Sequence, residues 1–246
     1  MQAIILAAGF GKRLRPLTDE TPKALTPVRG EPLLMHSLRA LARCGRISEV
    51  IVVVGHLKQK IEQAVGPEFE GMAITYVENP LYDSTNNVYS LALAAPYVRE
   101  DCLLLECDIL YSDDLIAALL AGEGECDLLV SPFDARTMNG SVVFADADGR
   151  ARRLVIKRDQ GAGFDYAGAL KTVNAYRFSG AFLKTVLMPN LKTYIETQGV
   201  NSYYELVIGG LIYYGNNDVR VLRIGADRWR EIDDMDDLRL AEEAEL

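Results

Sequence analysis

The sequence is poor in the residues that build metal clusters, and it lacks long apolar runs. Its 246 residues include only two histidines and four cysteines. No two cysteines stand at the spacing of a zinc site. No apolar run approaches a membrane span in length, and the apolar start has no basic region of the kind that secretion signals carry. We therefore expect no zinc site, no membrane partner and a cytoplasmic protein with reduced thiols.

Positive charge is also scarce. The chain has 26 lysines and arginines against 35 aspartates and glutamates, a formal net charge of −9. Proteins that bind nucleic acids usually show the opposite balance, so we expect no nucleic-acid partner. Because the chain is acidic as a whole, the basic cluster around residue 12 points to a local anion site.

Short apolar runs alternate with helical spacing through the first half of the chain. Strands are expected at residues 3–7, 49–54, 73–77, 101–106 and 127–131. Helices are expected at residues 32–44, 56–65, 86–95 and 112–120. This alternation predicts an α/β fold with a doubly wound, mainly parallel, Rossmann-like sheet. Ligands of such sheets bind at the carboxyl ends of the strands.

The second half of the chain is richer in β-branched segments separated by turns. Residues 141–144, 151–156 and 172–178 predict antiparallel strands added to the same sheet. Further helices are expected at residues 181–198, 202–214 and 234–243, with a strand at 219–224. With no obvious linker, we expect one domain over residues 1–246.

A glycine-rich loop follows the first predicted strand. Residues 6–14 read LAAGFGKRL, and Pro22-Lys23 comes about ten residues later. Small residues let backbone N–H groups approach phosphates closely, and Arg13 and Lys23 add cations. The Walker signature is absent, because no Gly-Lys-Ser/Thr closes the loop. The alternative interpretation is a glycine-rich turn with a solvated basic tip.

Two aspartates are candidates for holding Mg²⁺. Asp108 ends an apolar strand at the ligand-binding edge, and Asp233 follows Glu231-Ile232 near the end of the chain. Mg²⁺ is commonly held by one or two carboxylates together with substrate phosphates. The alternative is helix capping, which Ser112 or Asp113 could provide for the helix after Asp108. Either Asp233 or Asp234 could cap the last helix, while Glu231 is a candidate for supporting the metal site.

Amide, aromatic and basic side chains could complete the site. Asn86 and Asn87 precede a helix, where either could cap it or offer an amide to a substrate. Ring faces recognise quaternary ammonium groups, although most such rings serve packing. The aromatic candidates are Tyr82, Tyr89, Tyr111, Tyr176, Tyr203, Tyr204 and Trp229. Lys157 and Lys171 lie beside predicted strands, where a solvated lysine is the ordinary interpretation.

Residues 6–33 resemble the signature LAAGxGxRLxPLTxxxPKxLxPVxGxPL of the sugar-nucleotide-type nucleotidyltransferases. The resemblance extends to Asn79-Pro80, to residues 106–108 and to residues 231–233. It implies a nucleotide-binding core over residues 1–135, an acceptor-binding portion over 136–246, and catalytic roles for Arg13 and Lys23. It also implies Mg²⁺ on Asp108 and Asp233. The residues expected to bind the nucleotide are Leu6, Ala7, Ala8, Gly9, Gly11, Lys12, Asn79, Thr85 and Asn86.

The segment NNVYSL at residues 86–91 is similar to a stretch of the bacterial phosphocholine cytidylyltransferases. This resemblance implies CTP as the nucleotide and phosphocholine as the acceptor. The residues expected to bind the acceptor are Asn87, Tyr89, Lys157, Tyr176, Tyr203 and Trp229. The family resemblance implies a lysine for the acceptor phosphate, and Lys157 is favoured over Lys171, with a solvated strand-end lysine as the alternative. Other acceptors stay open: 2-aminoethylphosphonate, another phosphorylated alcohol, or a sugar 1-phosphate. A regulatory nucleotide-binding module without turnover is the alternative from a different class, and a homodimer stays open.

Overall fold

A parallel sheet of apolar strands forms the centre of the protein in the computed structural model, which describes residues 1–112, 114–215 and 218–244. Within these residues the strands are β1 Gln2–Ala7, β2 Pro27–Val28, β3 Glu31–Pro32, β4 Glu49–Val54, β5 Glu68–Phe69, β6 Met72–Glu78, β7 Cys102–Glu106, β8 Ile109–Tyr111, β9 Cys126–Pro132, β10 Val142–Ala145, β11 Ala151–Val155, β12 Leu170–Phe178, β13 Val219–Arg223 and β14 Trp229–Glu231.

The helices lie on both faces of this sheet. In the same described residues they are α1 Leu17–Glu20, α2 Leu33–Arg43, α3 Lys58–Val65, α4 Asn87–Ala94, α5 Asp114–Leu120, α6 Gly180–Phe182, α7 Met188–Gln198, α8 Tyr204–Tyr214 and α9 Met235–Glu243. A π-helical segment, Leu183–Leu187, joins α6 to α7, so the predicted helix at 181–198 is continuous. None of these helices combines the length and the apolar composition that a membrane span needs.

The sheet confirms the predicted topology. Its order is β11-β10-β12-β7-β1-β4-β6-β5, and β9 lies between β12 and β13. The four central strands β7, β1, β4 and β6 are parallel. The second half of the chain adds antiparallel pairs, β12 with β7, β10 and β9, as its turn-separated β-branched segments predicted.

Side chains of the parallel strands alternate between two apolar layers. On β1, Ile4 and Leu6 belong to the layer that α4, α7 and α8 cover, whereas Ile5 and Ala7 belong to the layer that α2, α3 and α5 cover. Strands that are buried on both faces have no polar side, which explains why they appear in the sequence as continuous apolar runs. The carboxyl ends of these strands form one open edge.

A small two-stranded sheet at that edge was not predicted. β8 and β14 pair antiparallel, with Ile109 opposite Glu231, although the two strands lie in opposite halves of the chain. Each strand has three residues, too few for a periodic pattern to reveal it. The backbone N–H of Ile232 also donates to the Asp108 carbonyl at 2.9 Å. The pairing therefore carries the Asp233 region to the end of β7.

Two of the alternatives on helix capping are decided in the structure. Asn86 caps α4, and its side chain accepts from the backbone N–H of Asn87. Asp234 caps α9 in a capping box with Asp237, which leaves the Asp233 carboxylate outside the cap. The proposed capping of α5 by Asp113 lies outside the described residues.

Candidate active site

A cleft of about 870 Å³ opens at the carboxyl ends of the parallel strands. Its walls come from segments far apart in the sequence: the loop at residues 9–13 with Lys23, the loop at residues 79–87, the end of β7, and parts of β12 and α8. The site is thus where the topology predicts it, since loops that follow parallel strands meet at one edge.

Gly11 and Lys23 touch at the floor of the glycine-rich loop. Gly11 has a φ of +68°, a left-handed conformation that side chains with a Cβ rarely adopt. A Cβ at this position would stand 2.9 Å from the Cβ of Lys23. Glycine is therefore required here twice, for the turn itself and for the close approach of the lysine.

Lys23 lies between the two predicted aspartates, which are 125 residues apart in the sequence. Its Nζ is 2.8 Å from Asp108 Oδ2 and 3.0 Å from Asp233 Oδ1, and Arg13 is 2.8 Å from the same Asp233 oxygen. Burial would lower the pKa of Lys23, but the two carboxylates outweigh that effect and raise it. The lysine is therefore an ammonium ion at neutral pH.

The electrostatics of Asp233 mirror those of Lys23. Burial would raise the pKa of Asp233, but the charges of Lys23 and Arg13 hold it below the usual value. The carboxylate reaches this point because Ile232, fully buried, packs with Leu14 and Leu110 in a small apolar cluster beside the loop. The cluster holds the backbone next to Arg13 and Asp233 and close to Asp108.

The aspartate pair fits a Mg²⁺ ion. Asp108 Oδ1 is buried without a hydrogen-bond partner, so one oxygen of that carboxylate is uncommitted. The described residues contain no group of three or more His, Cys, Asp or Glu side chains that could hold a metal by itself. Two carboxylates at the edge of a cleft are the donor set that suits Mg²⁺ when substrate phosphates supply the remaining oxygens.

The loop between β6 and α4 is held together by Asn79. Its Nδ2 donates to Thr85 Oγ1 at 2.9 Å and to Ser90 Oγ at 3.1 Å, and its Oδ1 accepts from the Leu81 backbone at 2.9 Å. Asn79, Thr85 and Asn86 all line the cleft, as do five of the six predicted nucleotide contacts of the glycine-rich loop, Leu6, Ala8, Gly9, Gly11 and Lys12. The amide of Asn79 is engaged by its own loop and by Ser90 of α4, which gives this residue an organising role.

Carboxylates dominate the end of the cleft that lies away from the glycine-rich loop. We call it the far end, and Glu106, Glu205, Glu231 and Lys171 line it. Glu106 ends β7, and its Oε1 accepts from Asn87 Nδ2 at 3.1 Å and from the Tyr204 hydroxyl at 2.9 Å. Glu205, 4% exposed, sits in the first turn of α8, where a helix dipole favours negative charge. Burial raises the pKa of both glutamates, and for Glu106 the charges of Asp108 and Glu205 add to the shift.

Both candidate lysines line the cleft, in different environments. Lys171 is 2% exposed, and its Nζ is 3.1 Å from Glu231 Oε2 and 5.7 Å from the centre of the Trp229 ring. Burial raises the pKa of Glu231, although the Lys171 charge opposes the shift. Lys157 is exposed in the turn after β11. The structure thus presents a fixed cation at Lys171 and a solvated one at Lys157.

Four of the residues expected to meet a ligand do not line the cleft. Ala7 points into the opposite layer from Leu6 and Ala8, because adjacent residues of a strand face opposite sides. Tyr176 and Trp229 are 0% and 5% exposed and pack in the core, and Tyr89 is half-buried on α4 away from the cleft. Tyr176 and Trp229 therefore do not present an exposed ring to the cleft in this structure. Asn87, Tyr82 and Tyr203 do line the cleft.

Sequence reasoning missed Glu205, Glu106 and Asn174 as cleft residues. Asn174 adopts a φ of +55° where the pairing of β12 with β9 shifts register, and its Oδ1 is buried without a partner. An asparagine within a β-branched strand is a signal for such a bulge, because asparagine tolerates this conformation. Nothing in the local sequence distinguishes Glu205 from a surface helix residue.

Known proteins resemble this chain over nearly all of its length or over part of it. The CMP-5'-(3-aminopropyl)phosphonate synthase of Streptomyces rubellomurinus is 38% identical over 242 residues, which are 98% of this chain and 38% of that enzyme. The choline-phosphate cytidylyltransferase of Streptococcus pneumoniae is 43% identical over 93 residues, 38% of each protein. The chain thus spans well under half the length of the Streptomyces enzyme.

A solved structure and a family model agree with the fold. The structure of the CTP:phosphocholine cytidylyltransferase from Streptococcus pneumoniae superposes with a TM-score of 0.78 over 98% of this chain and 97% of that one, at 22% identity. At this identity the likeness concerns the fold alone. The model of the MobA-like NTP transferase domain matches residues 3–176, more than half of the chain. With the cleft, the loop and the paired aspartates in place, the chain belongs to the family of MobA-like NTP transferase domains, a nucleotidyltransferase family.

Proposed function

We propose that this protein transfers CMP from CTP to the phosphate or phosphonate group of a small molecule with a cationic head, releasing pyrophosphate. The sequence resemblance favours phosphocholine as the acceptor, and the Streptomyces relative, named for an aminopropylphosphonate product, favours an aminoalkyl phosphonate. The observation that carries the proposal is the meeting of Lys23 and Arg13 with Asp108 and Asp233 in one cleft.

In this reaction an oxygen of the acceptor attacks the α-phosphorus of CTP, and the bond from that phosphorus to the bridging oxygen of pyrophosphate breaks. The attacking phosphate or phosphonate is already ionised at neutral pH, so no strong general base is required. The protein can therefore act by positioning and by neutralising charge. Lys23 would donate to the α-phosphate, and Arg13 would donate to the departing pyrophosphate.

The donor set of Asp108 and Asp233 implies a divalent ion, and members of this family generally use one. When bound, Mg²⁺ would neutralise part of the negative charge on the triphosphate. Lys23 already lies against both carboxylates and Arg13 against Asp233, so a small change of partner would bring their N–H groups to phosphate oxygens. The site is charge-balanced before any ligand enters.

On the acceptor side, Lys171 is the better placed of the two lysines for a phosphate or phosphonate. Glu231 and the Trp229 ring hold its ammonium group in the wall of the cleft, whereas the Lys157 side chain is exposed. A fixed cation loses less side-chain entropy on binding than a solvated one. We also propose that the protein works in the cytoplasm, in keeping with four free cysteines.

The test is pyrophosphate release from CTP with phosphocholine, phosphoethanolamine or 2-aminoethylphosphonate as acceptor. We expect wild-type turnover with at least one acceptor, and loss of most of it in Lys23→Ala and in Asp108→Asn. Near wild-type turnover in either variant would overturn these assignments. Tight CTP binding with no pyrophosphate release from any acceptor would favour a regulatory nucleotide-binding module instead.

A further inference from the structure

The far end of the cleft holds more carboxylates than cations. Glu106, Glu205 and Glu231 all line it. The buried cation at this end, Lys171, forms its ion pair with Glu231 at 3.1 Å. In the part of the chain that the structure describes, Glu106 and Glu205 have no ion-pair partner and accept hydrogen bonds from neutral groups. Neither carboxyl group is therefore neutralised by an ion pair before a ligand binds.

Asn87 holds these two glutamates side by side. Its Oδ1 accepts from the backbone N–H of Tyr204 at 3.0 Å, which fixes the direction of the amide. Its Nδ2 then points at Glu106 Oε1, at 3.1 Å, and at Glu205 Oε2, at 3.4 Å. Two buried carboxyl groups that share one neutral donor are costly to ionise together unless a cation joins them. This arrangement favours a ligand that brings the cation.

We infer that Glu106, Glu205 and Asn174 form an ammonium pocket, which binds a primary amine on the acceptor. The inference rests on the proposed cytidylyl transfer and narrows its acceptor to a short-chain aminoalkyl phosphate or phosphonate. Glu106 and Glu205 are the residues that determine this specificity, and Asn87 is a positioning residue.

The hydrogen-bonding groups of the ammonium pocket distinguish between two kinds of cation. A primary ammonium carries three N–H donors, as the lysine side chain does, whereas a quaternary ammonium carries none. The pocket offers acceptors: two carboxylates, and Asn174 Oδ1, which is buried without a partner. A primary amine could donate to these oxygens, whereas a trimethylated nitrogen could not, and it would leave Asn174 Oδ1 without a partner.

The aromatic side chains lead to the same choice. A quaternary ammonium is recognised by ring faces, yet Tyr176, Tyr204 and Trp229 are buried in the core, 0 to 5% exposed. Of the rings that line the cleft, Phe10 is already stacked on His56 with centroids 3.9 Å apart. This leaves Tyr82 and Tyr203 among the described residues, fewer than a cage that surrounds a trimethylammonium group requires.

The distance between the two ends limits the length of the acceptor. Glu106 and Asp108 are two residues apart, so their Cα atoms are separated by at most about 7 Å. The ammonium pocket is therefore next to the aspartates where the reacting phosphates are proposed to lie. This spacing suits an amine joined to its phosphorus by two or three carbons.

The test compares three acceptors that differ only in the head group: phosphoethanolamine, phosphocholine and propyl phosphate. Turnover is measured as kcat/KM at saturating CTP, and binding is measured by calorimetry with α,β-methylene-CTP, which cannot react. We expect the wild type to prefer phosphoethanolamine over each of the others by at least about 10-fold. The binding measurement keeps head-group selection separate from chemistry.

The informative variant is Glu205→Gln, which keeps shape and removes charge. We expect it to lose about 10- to 100-fold in kcat/KM and in affinity for phosphoethanolamine, since hydrogen bonds to charged groups are the strong ones. For propyl phosphate we expect a change of less than about threefold. Asp83→Asn is the matched control, because it removes an exposed carboxylate from the rim of the same cleft. Glu106→Gln replaces Glu205→Gln if the latter does not fold.

Each outcome decides one of the two proposals. Equal use of phosphocholine and phosphoethanolamine, with equal losses for all acceptors in Glu205→Gln, would overturn the ammonium pocket and leave cytidylyl transfer intact. No pyrophosphate from any acceptor, together with Glu205-dependent binding of phosphoethanolamine, would overturn cytidylyl transfer and support the pocket. Binding that is the same in Glu205→Gln and Asp83→Asn would overturn the pocket whatever the turnover.

Discussion

The two ends of the cleft differ in how they are built and in how their charges balance. At the loop end, Lys23 and Arg13 face Asp108 and Asp233, two cations against two carboxylates. At the far end, three glutamates face one buried lysine. The charges at the loop end balance without a ligand, which suits a reaction step that is common to many acceptors. The far end is incomplete without a cationic ligand, so we assign acceptor choice to it.

The loop end should be the more sensitive to loss of a single cation. Lys23→Ala removes the group that touches both aspartates, and we expect kcat to fall by about 100- to 1,000-fold, the range for losing one preorganised donor. Initial rates of pyrophosphate release at saturating substrates measure this. Lys192→Ala is the control, since that lysine is 76% exposed on α7. A drop in kcat of less than about fivefold for Lys23→Ala would show that this lysine does not act in the reaction.

Gly11→Ala tests the backbone of the same end. The new Cβ would be strained by the positive φ and would press on the Cβ of Lys23. Each effect costs of order 1 kcal/mol, so we expect KM for CTP to rise by at least about 10-fold. Gly161→Ala, at a glycine where an added Cβ would have no neighbour within 4 Å, should leave KM unchanged. An unchanged KM for Gly11→Ala would contradict the proposed contact of this loop with the nucleotide.

The loop end could be predicted from sequence because its features are local. A buried strand, two glycines and two cations follow one another within residues 3–23, so spacing alone indicated an anion site. Asp108 was predictable from its place at the end of an apolar strand. A shared site for Asp108 and Asp233 was expected from the family resemblance, but the pairing of β8 with β14 that brings both to Lys23 was not predicted.

The far end can be probed through its two lysines. Lys171→Met removes a buried cation and leaves Glu231 without a partner, so we expect acceptor KM to rise about 10-fold and stability to fall by about 1–3 kcal/mol. Lys157→Met removes an exposed cation, and we expect a change of less than about threefold. Acceptor titrations and urea unfolding of both variants measure these differences. A larger effect on KM from Lys157→Met would reverse their assignment.

The far end was harder to predict because its residues converge only in three dimensions. Glu106, Asn87 and Glu205 come from β7, α4 and α8, and each alone has an ordinary surface or capping interpretation. The burial of Tyr176 was hard to predict for a related reason. Which face of β12 carries Tyr176 depends on the bulge at Asn174, which shifts the register of that strand.

The smallest effect is expected at Cys107, which lies between the two ends of the cleft. Burial raises the pKa of the Cys102, Cys107 and Cys126 thiols, so a smaller fraction of each is thiolate at any given pH. We expect native protein at about pH 8 to react with iodoacetamide at the half-buried Cys44 alone, with no loss of activity. Mass spectrometry of labelled peptides measures this. Rapid labelling of Cys107 would show that the region between the two ends of the cleft is open to solvent.

The most direct test of the account is ³¹P NMR of the protein with CTP, Mg²⁺ and 2-aminoethylphosphonate. Cytidylyl transfer predicts a new pair of coupled signals, from the α-phosphorus of CMP and the phosphonate phosphorus joined through one oxygen. Pyrophosphate should appear in equal amount, and neither product should form with Asp108→Asn. Unchanged CTP, or free CMP without the coupled pair, would contradict the account.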